Sequence, residues 1–304
     1  MEIAQLRAIR ELGERGSIAA VAAARRVTPS SISQQIAALQ RQSSTPLTYK
    51  RGGRTVLTLS GQALADAAVD VEVAMTRARE TLARFPDEAG GAVAVAAFHS
   101  AGLALFGRLL AATADTGGPT LALSDFDVAQ AEFPSLATDH DLVIAHRLAG
   151  SRAWSASVQV QPLFFEPLDI AVRRDHPLAS ERVIRASQLR GVDWVAVHEG
   201  FPLEQALAVI ATISGQSAAV SHRINDFLIA ADVVASSGSI ALMPRFTTDP
   251  RHRPDVVLRP LDVPGIGRYV DCLARPEALE RRATRTVLDH IQRIAAGLSS
   301  RGAE

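Results

Sequence analysis

The chain of 304 residues contains a single cysteine, Cys272. One cysteine excludes an intramolecular disulfide framework and a cysteine-based metal cluster, so we expect a reducing compartment such as the cytoplasm. Cys272 lies in an apolar stretch, which favours a buried, inert thiol over a redox sensor. The sequence also lacks the roughly 18 consecutive apolar residues of a membrane span and the basic-then-apolar pattern of a signal peptide. We therefore expect a cytoplasmic protein without a membrane partner.

The motifs of the common enzyme classes are absent as well. Ser100 does not lie in a Gly-x-Ser-x-Gly elbow, and neither a His-Glu-x-x-His zinc motif nor a glycine-rich phosphate loop occurs. Histidines such as His99, His146 and His198 could act in acid–base catalysis. Lone histidines in loops between strands and helices are, however, more often surface residues than catalysts. We expect no catalytic residue, no metal site and no cofactor. An enzymatic or solute-binding module stays open as an alternative.

The charges are balanced overall, with 32 basic and 32 acidic residues, but they are unevenly distributed along the chain. Residues 1–59 hold nine basic residues against three acidic ones, a net charge of +6, so the remainder carries −6. A basic segment of this kind at one end of an acidic protein is typical of nucleic-acid binding.

Residues 16–40 carry the most informative pattern. A short alanine-rich helix over about residues 17–24 is followed by a turn, and a second helix begins at Thr28-Pro29. The Thr28 hydroxyl suits an N-cap, and Pro29 suits the first helical position because the missing N–H costs nothing there. This is the pattern of a helix-turn-helix, although a helical hairpin with a purely structural role would have the same sequence pattern.

The second helix has two chemically different faces. Its apolar residues recur at helical spacing and are expected to pack inward: Ile32, Ile36 and Leu39. The other faces carry small hydrogen-bonding side chains: Ser30, Ser31, Ser33, Gln34 and Gln35. A helix of this composition is what a helix-turn-helix presents to the major groove of DNA.

A basic hairpin is predicted directly after these helices. Two β-prone runs flank Gly52-Gly53, a pair that supports a two-residue turn. Lys50, Arg51 and Arg54 cluster at the tip of this hairpin. Cations placed there can contact DNA phosphates, which adds affinity and fixes the register without reading sequence. The sequence therefore predicts a winged helix-turn-helix.

A long helix is predicted to follow, from Gly61 to about Phe85, with Pro86 as its stop signal. One side of it is apolar and includes Val71 and Met75. A long exposed helix needs a partner, so antiparallel pairing with a second copy is one interpretation, and docking on its own domain is the other.

Strands and helices alternate beyond the boundary that Ala89-Gly90-Gly91 marks, as in βαβ units with a parallel sheet. The pattern predicts two α/β lobes joined by two crossovers, with a cleft at the carboxyl ends of the strands. The predicted domains are 1–59 for DNA binding, 60–88 for the linker helix and 89–304 for a two-lobed module. Lobe I covers about 89–165 and 268–304, and lobe II covers 166–267.

Motifs along the whole chain resemble the LysR-type transcriptional regulators of bacteria. In the first 61 residues they are Gly16-Ser17-Ile18, Ser33-x-Gln35-Ile36-x-x-Leu39, Pro46-Leu47 and Leu57-Thr58-x-Ser60-Gly61. Further along they are Asp141-Leu142-Val143-Ile144, His176-Pro177-Leu178-Ala179 and the stretch from Val234 to Pro244. The resemblance implies a mixed α/β fold. It comprises a winged helix-turn-helix, a dimerisation helix and a two-lobed effector domain similar to periplasmic binding proteins.

Some residues depart from the family pattern. Arg25 stands where the family usually has leucine, Pro29 where it has glutamine, and Gln40 where it has glutamate. The glutamine often faces bases, and proline cannot replace it in a base contact, so we expect the readout to depend on Ser30, Ser31 and Gln34. The full set of expected DNA-contacting residues is Thr28, Ser30, Ser31, Ser33, Gln34, Lys50, Arg51 and Arg54.

The effector is expected in the cleft between the lobes. Ser100 follows an apolar strand and opens a helix, so its hydroxyl could cap that helix, face the cleft, or do both. Because a helix N-terminus favours an anion and the lining has few fixed charges, we expect a small molecule such as a small carboxylate. The expected effector-binding residues are Phe98, Ser100, Phe126, Phe201 and Asn225.

The resemblance also implies the partners of the chain. These are double-stranded DNA, further copies of the chain in a homodimer or homotetramer, and a small-molecule effector; contact with RNA polymerase is compatible with this class. A regulator that uses the same DNA-binding scaffold with a vestigial cleft, and therefore needs no effector, stays open as the alternative.

Overall fold

The computed structural model describes residues 1–82, 91–201, 203–248 and 253–301. The chain forms two compact units, one of Met1–Glu88 with Arg275–Arg285 and one of Ala89–Ala274 with Thr286–Glu304. The predicted stop at Pro86 and the Ala89-Gly90 part of the predicted boundary lie outside the described residues. Within the described residues, no helix is long and apolar enough to cross a membrane.

The N-terminal unit begins with three helices, α1 (Ile3–Arg15), α2 (Ile18–Arg25) and α3 (Pro29–Gln40). Gly16 ends α1 in the left-handed conformation with φ 71°, which glycine adopts without a Cβ clash. Ser17 caps α2 by accepting from the amide of Ala20 at 3.1 Å. The predicted helix-turn-helix is confirmed.

The predicted N-cap and apolar face of α3 are also confirmed. The Thr28 hydroxyl accepts from the amide of Ser31 at 3.2 Å. The three apolar residues of the helix are almost fully buried, with exposures of 0% for Ile32, 5% for Ile36 and 1% for Leu39. Burial of each such side chain contributes about 1.5–3 kcal/mol to folding, so the packing fixes which face of α3 stays in solvent.

The hairpin forms as predicted, from β1 (Thr48–Arg51) and β2 (Arg54–Leu57) in antiparallel pairing. Gly52 and Gly53 both have positive φ, 54° and 77°, as a two-residue hairpin turn requires. The long helix is α4 (Leu59–Leu82). Its pairing with a second copy is not tested by a single chain and stays a prediction.

Hydrogen bonds on consecutive carbonyls attach the start of α4 to the residues before β1. The hydroxyls of Thr58 and Ser60 both donate to the carbonyl of Pro46, at 2.6 and 2.8 Å. The Thr58 amide donates to the Leu47 carbonyl at 3.0 Å, and Thr58 Oγ1 in turn accepts from the amide of Gly61. The motif Leu57-Thr58-x-Ser60-Gly61 therefore holds the start of α4 against Pro46 and Leu47.

The second unit contains a continuous mixed sheet in the order β4-β3-β5-β11-β6-β9-β7-β8, with β10 beside β6. Its elements are β3 (Ala92–Ala97), α5 (His99–Asp115), β4 (Thr120–Asp125), α6 (Phe133–Leu136), β5 (Leu142–Leu148), β6 (Gln159–Arg173), β7 (Asp193–Ala196), α7 (Glu204–Ser214), β8 (Ala219–Arg223), α8 (Phe227–Ser236), β9 (Ile240–Pro244), β10 (Val256–Arg259), β11 (Gly267–Ala274) and α9 (Arg282–Arg301). Lobe I is built around β3, and lobe II around β7.

The predicted parallel pairing is confirmed inside each lobe, where β3 pairs with β4 and β5, and β7 pairs with β8 and β9. The prediction of parallel pairing is wrong for β6, β10 and β11, which lie between the parallel strands of the two lobes. β6 runs antiparallel to β9, β10 and β11, and β11 runs antiparallel to β5. Antiparallel neighbours need no crossover helix between them, so the alternation of strands and helices in the sequence could not predict their pairing. The 15-residue strand β6 extends from lobe I into lobe II, and β11 returns alongside it.

Candidate DNA-binding surface and effector cleft

The solvent face of α3 carries the predicted polar residues. Ser30, Ser33 and Gln34 are exposed and Ser31 is half-buried. Thr28 is exposed too, but its hydroxyl is already the cap of the helix. The expected readout residues therefore share one accessible surface.

Two departures from the family pattern have structural partners. Arg25 Nε donates to Glu11 Oε2 at 2.9 Å, and Arg25 Nη1 donates to Gln35 Oε1 at 3.3 Å, which links all three helices. Gln40 accepts from the amide of Leu47 at 2.7 Å and donates to the carbonyl of Thr45 at 3.0 Å. Arg25, Gln35 and Gln40 therefore serve the fold of the unit.

Cations surround the space between the hairpin and the start of α2. This recess is lined by Arg15 and Ser17 on one side and by Lys50, Gly53 and Arg54 on the other. The first amides of a helix and its positive dipole end favour an anion. Lys50, Arg51 and Arg54 are exposed, as predicted for a wing. The recess has the chemistry to hold a phosphate group.

A cleft of about 210 Å³ lies between the two lobes of the second unit. Four predicted effector-binding residues line it, namely Phe98, Ser100, Phe201 and Asn225. Phe126 is not among the residues described as lining it; its ring packs edge-on against His140, with centroids 5.3 Å apart. Sequence reasoning missed other lining residues, among them Leu103, His146, Phe227, Thr247, Thr248 and Arg268.

The floor of the cleft is a buried polar network around Glu166 and Arg268, which have 0% and 1% of their side chains exposed. Arg268 Nε donates to Glu166 Oε2 at 2.9 Å, and Arg268 Nη2 donates to Ser100 Oγ at 3.0 Å and to Thr247 Oγ1 at 2.8 Å. The Arg268 guanidinium also lies over the Phe98 ring, 4.5 Å from its centroid. Charged residues within the long strands β6 and β11, Glu166 and Arg268 among them, are the sequence signal for this network.

Ser100 does not cap α5, contrary to one of the expected roles. The N-cap position belongs to Phe98, which makes no side-chain cap bond, and α5 begins at His99. Because Arg268 and Thr247 hydrogen-bond the Ser100 hydroxyl, this residue lies in the cleft floor instead.

Polar contacts cross the mouth of the cleft. His99 Nδ1 lies 2.7 Å from Asp125 of lobe I, and His99 Nε2 lies 3.0 Å from Asp226 of lobe II. Asn225 donates from Nδ2 to Asp127 at 3.3 Å. These contacts join the lobes in the conformation described.

His146 is fully buried beside the cleft floor. Its ring packs against Phe98, Phe133 and Phe201, at centroid distances of 4.5, 5.6 and 6.4 Å. Burial, together with the charge of Arg268, lowers the pKa of His146 well below its ordinary value of 6.5. The imidazole is therefore neutral at pH 7, and its Nδ1 has no hydrogen-bond partner in the described structure.

His146→Phe is expected to flatten the dependence of stability on pH. In the folded protein the pKa is depressed, so below about pH 6.5 the unfolded state binds a proton that the folded state does not. Stability is therefore lost as the pH falls from about 6.5 toward the folded pKa, with a slope of up to about 1.4 kcal/mol per pH unit. Urea unfolding followed by tryptophan fluorescence between pH 5 and 8 measures this slope. His222→Gln, on an exposed part of β8, is the control, and equal slopes for wild type and His146→Phe would contradict the assignment.

The arrangement defines a class of protein: a ligand-responsive transcription regulator with a winged helix-turn-helix and a two-lobed binding domain. Residues 3–62 match the family profile of bacterial regulatory helix-turn-helix proteins of the lysR family, and residues 86–296 match the LysR substrate binding domain. The chain belongs to the LysR family of transcriptional regulators. Its partners are accordingly DNA, further copies of the chain and a small-molecule effector.

A curated protein and several solved structures are similar to the chain along most of its length. A probable nitrogen assimilation transcriptional activator from Synechococcus elongatus is 25% identical over 296 residues, which cover 92% of this chain and 90% of the relative. A full-length OxyR variant from Pseudomonas aeruginosa superposes with a TM-score of 0.68 at 18% identity, covering 96% of this chain and 98% of that chain. CbnR in complex with its target DNA superposes with a TM-score of 0.52 at 18% identity, covering 97% of this chain and 100% of that chain. At these identities the two structures show the fold.

Proposed function

We propose that this regulator reads DNA sequence with Ser30, Ser31, Ser33 and Gln34, and holds the backbone with the wing cations Lys50, Arg51 and Arg54. The observation that carries the proposal is the exposure of the small hydrogen-bonding side chains of α3 and of the wing cations, two of which, Lys50 and Arg54, line the recess at the start of α2. Amide side chains can hydrogen-bond adenine edges, whereas lysine and arginine neutralise phosphates. Thr28 supports the readout indirectly by fixing the start of α3.

We propose further that a small molecule in the cleft modulates DNA binding or activation, with Phe98, Ser100, Phe201 and Asn225 among its contacts. Two buried polar atoms of the lining, His146 Nδ1 and Thr248 Oγ1, have no partner in the described structure. Buried polar groups are almost always hydrogen-bonded, so these atoms are suited to meet a ligand. Residues 1–59, 60–88 and 89–304 keep their predicted roles, with Arg275–Arg285 packing in the N-terminal unit.

The chain is proposed to catalyse no reaction. The Ser100 and Thr247 hydroxyls both lie in the hydrogen-bond network of Glu166 and Arg268, and the Glu166 carboxylate that could serve as a base is paired with Arg268. Because the chain belongs to a family of bacterial DNA-binding regulators, we propose that it acts in the cytoplasm.

Gln34→Ala is expected to lower discrimination between the preferred site and mismatched sites by about 1–3 kcal/mol. The salt dependence of binding should stay unchanged because no phosphate contact is removed. The preferred duplex is first selected from a randomised DNA pool, and affinities for it and for point-mismatched duplexes are then measured by fluorescence anisotropy. Gln62→Ala on α4, whose side chain contacts Asp66, is the control. A uniform loss of affinity for all duplexes would show that Gln34 contacts the DNA backbone, and would contradict base readout by this residue.

A further inference from the structure

The charges around the cleft limit the class of effector, given the proposed effector site. Among the described lining residues, Arg268 is the only arginine or lysine, and Glu166 lies directly against it, with Nη2 and Oε2 2.8 Å apart. Both side chains are buried, so the pair adds no net charge to the cleft. Two further lining residues, Asp127 and Asp226, are acidic. Among the described residues, the cleft is therefore neutral at its floor, and acidic side chains predominate at its mouth, where Asp125, Asp127 and Asp226 lie around His99.

The helix ends at the cleft do not compensate for these charges. Two helices begin there, α5 at His99 and α8 at Phe227, and each N-terminus carries the equivalent of about half an elementary positive charge. The amides of Leu228 and Ile229 at the start of α8 already donate to the Asp226 carboxylate, so the cap of α8 offsets the charge of that helix end. A carboxylate in the cleft would lose its hydration and, among the described lining residues, would find no arginine or lysine that is not already paired with a carboxylate. This cost of desolvation argues against the small acid that the helix terminus alone suggests.

The unused hydrogen-bonding capacity of the lining is uncharged. Ser100 Oγ accepts from Arg268 at 3.0 Å and lies 3.2 Å from Thr247 Oγ1, so its own proton can be donated to a ligand. His146 Nδ1 and Thr248 Oγ1 are buried and without a partner in the described structure. A ligand that supplies both a donor and an acceptor would satisfy these groups.

Aromatic and aliphatic side chains form the remaining walls. Phe98, Phe201 and Phe227 line the cleft with Leu103 and Leu228. An apolar cavity of about 150 Å³ is sufficient for benzene. The cleft, at about 210 Å³, therefore has room for one aromatic ring with a short substituent.

We propose that the effector is an uncharged aromatic molecule with one hydrogen-bonding substituent, such as an aromatic amide, and that the Glu166–Arg268 pair and the acidic mouth exclude the corresponding acid.

Isosteric pairs test this proposal on the full-length protein. Benzamide and benzoate have nearly the same shape and differ in charge, as do phenylacetamide and phenylacetate. Each is added at about 10 mM, roughly ten times the millimolar Kd expected for ligands of this size, and thermal shift and calorimetry measure binding. The amides are expected to bind at least about tenfold more tightly than the acids.

Two substitutions test the physical cause. Glu166→Gln removes the charge opposite Arg268 with little change of shape, and should shift the preference toward benzoate by about tenfold or more. Because Glu166 is buried and this variant could fail to fold, Asp127→Asn at the mouth is the second variant, with a smaller shift in the same direction. Such a shift also locates the probe in the cleft. Asp175→Asn, on an exposed residue that pairs with Arg173, is the matched control and should leave the preference unchanged.

The outcomes separate this inference from the proposed function. Tighter binding of the acids, or a preference that folded Glu166→Gln and Asp127→Asn leave unchanged, would overturn the inferred effector class and retain the effector site. Failure of every probe to bind would overturn the inferred effector class alone, because probes of one class do not test other small molecules at the proposed effector site. The DNA-binding measurements on Gln34→Ala do not depend on the outcome of these ligand-binding experiments.

Discussion

Gly61→Ala is expected to destabilise the N-terminal unit by at least about 3 kcal/mol, at the upper end of the effect of overpacking. A Cβ atom at position 61 would lie 2.0 Å from the carbonyl oxygen of Leu47 and 3.0 Å from its carbonyl carbon. The backbone there cannot move away cheaply, because the same carbonyl accepts from Thr58 and the preceding one accepts from two hydroxyls. The substitution therefore separates α4 from the residues before the wing.

Circular dichroism during urea unfolding, together with DNA binding, measures this effect. Gly13→Ala in α1 is the matched control in the same unit, because the nearest atom to its Cβ would be the tip of the Leu57 side chain, 2.9 Å away, and the others within 4 Å also belong to side chains. A flexible side chain can shift, so we expect a change within about 1 kcal/mol for the control. Equal stability of Gly61→Ala and wild type would contradict the close approach of α4 to Leu47.

Simultaneous replacement of the wing cations Lys50, Arg51 and Arg54 by alanine should weaken DNA binding on the order of a hundredfold or more, equally for all sequences. Each phosphate that loses a cation lowers the slope of log affinity against log salt by about 0.9, so the slope should fall by about 2 to 3. Discrimination between sites should be retained, because phosphate contacts carry no sequence information and we propose that α3 reads the bases. Fluorescence anisotropy between low and moderate salt measures both quantities.

The control for this triple variant removes three exposed arginines from the second unit: Arg152, Arg182 and Arg185. It changes the net charge of the chain by the same amount, so it separates a local contact from a general electrostatic attraction. If both triple variants lose affinity to the same extent, the wing does not contact the DNA backbone.

The DNA-binding unit was predictable because its signals are local. Thr28 and Pro29 start a helix within four residues, the spacing of Ile32, Ile36 and Leu39 selects its buried face, and Gly52-Gly53 permits the turn of the hairpin. Each of these preferences acts between neighbours in the chain, and tertiary packing reinforces it. The structure confirms all of them.

The cleft floor could not be predicted in the same way, because only the tertiary structure brings its residues together. Ser100, Glu166, Thr247 and Arg268 come from separate parts of the chain, with as many as 168 positions between hydrogen-bonded partners. Sequence reasoning assigned Ser100 a possible capping role and placed Phe126 in the cleft, because it could use only the strand and helix ends beside each residue. The antiparallel pairing of β6 with β11 decides otherwise, since it carries Glu166 and Arg268 on adjacent strands to one point.

The sequence by itself determined the class of the protein, the course of its N-terminal helices and the residues on the exposed face of α3. The charge of the effector cleft was decided only by tertiary structure, because whether Arg268 acts as a free cation depends on the carboxylate that a distant strand places 2.8 Å away. An ion pair between residues 102 positions apart leaves no trace in local propensity or periodicity. Burial then makes that pairing obligatory, since an unpaired charge at this depth would cost several kcal/mol.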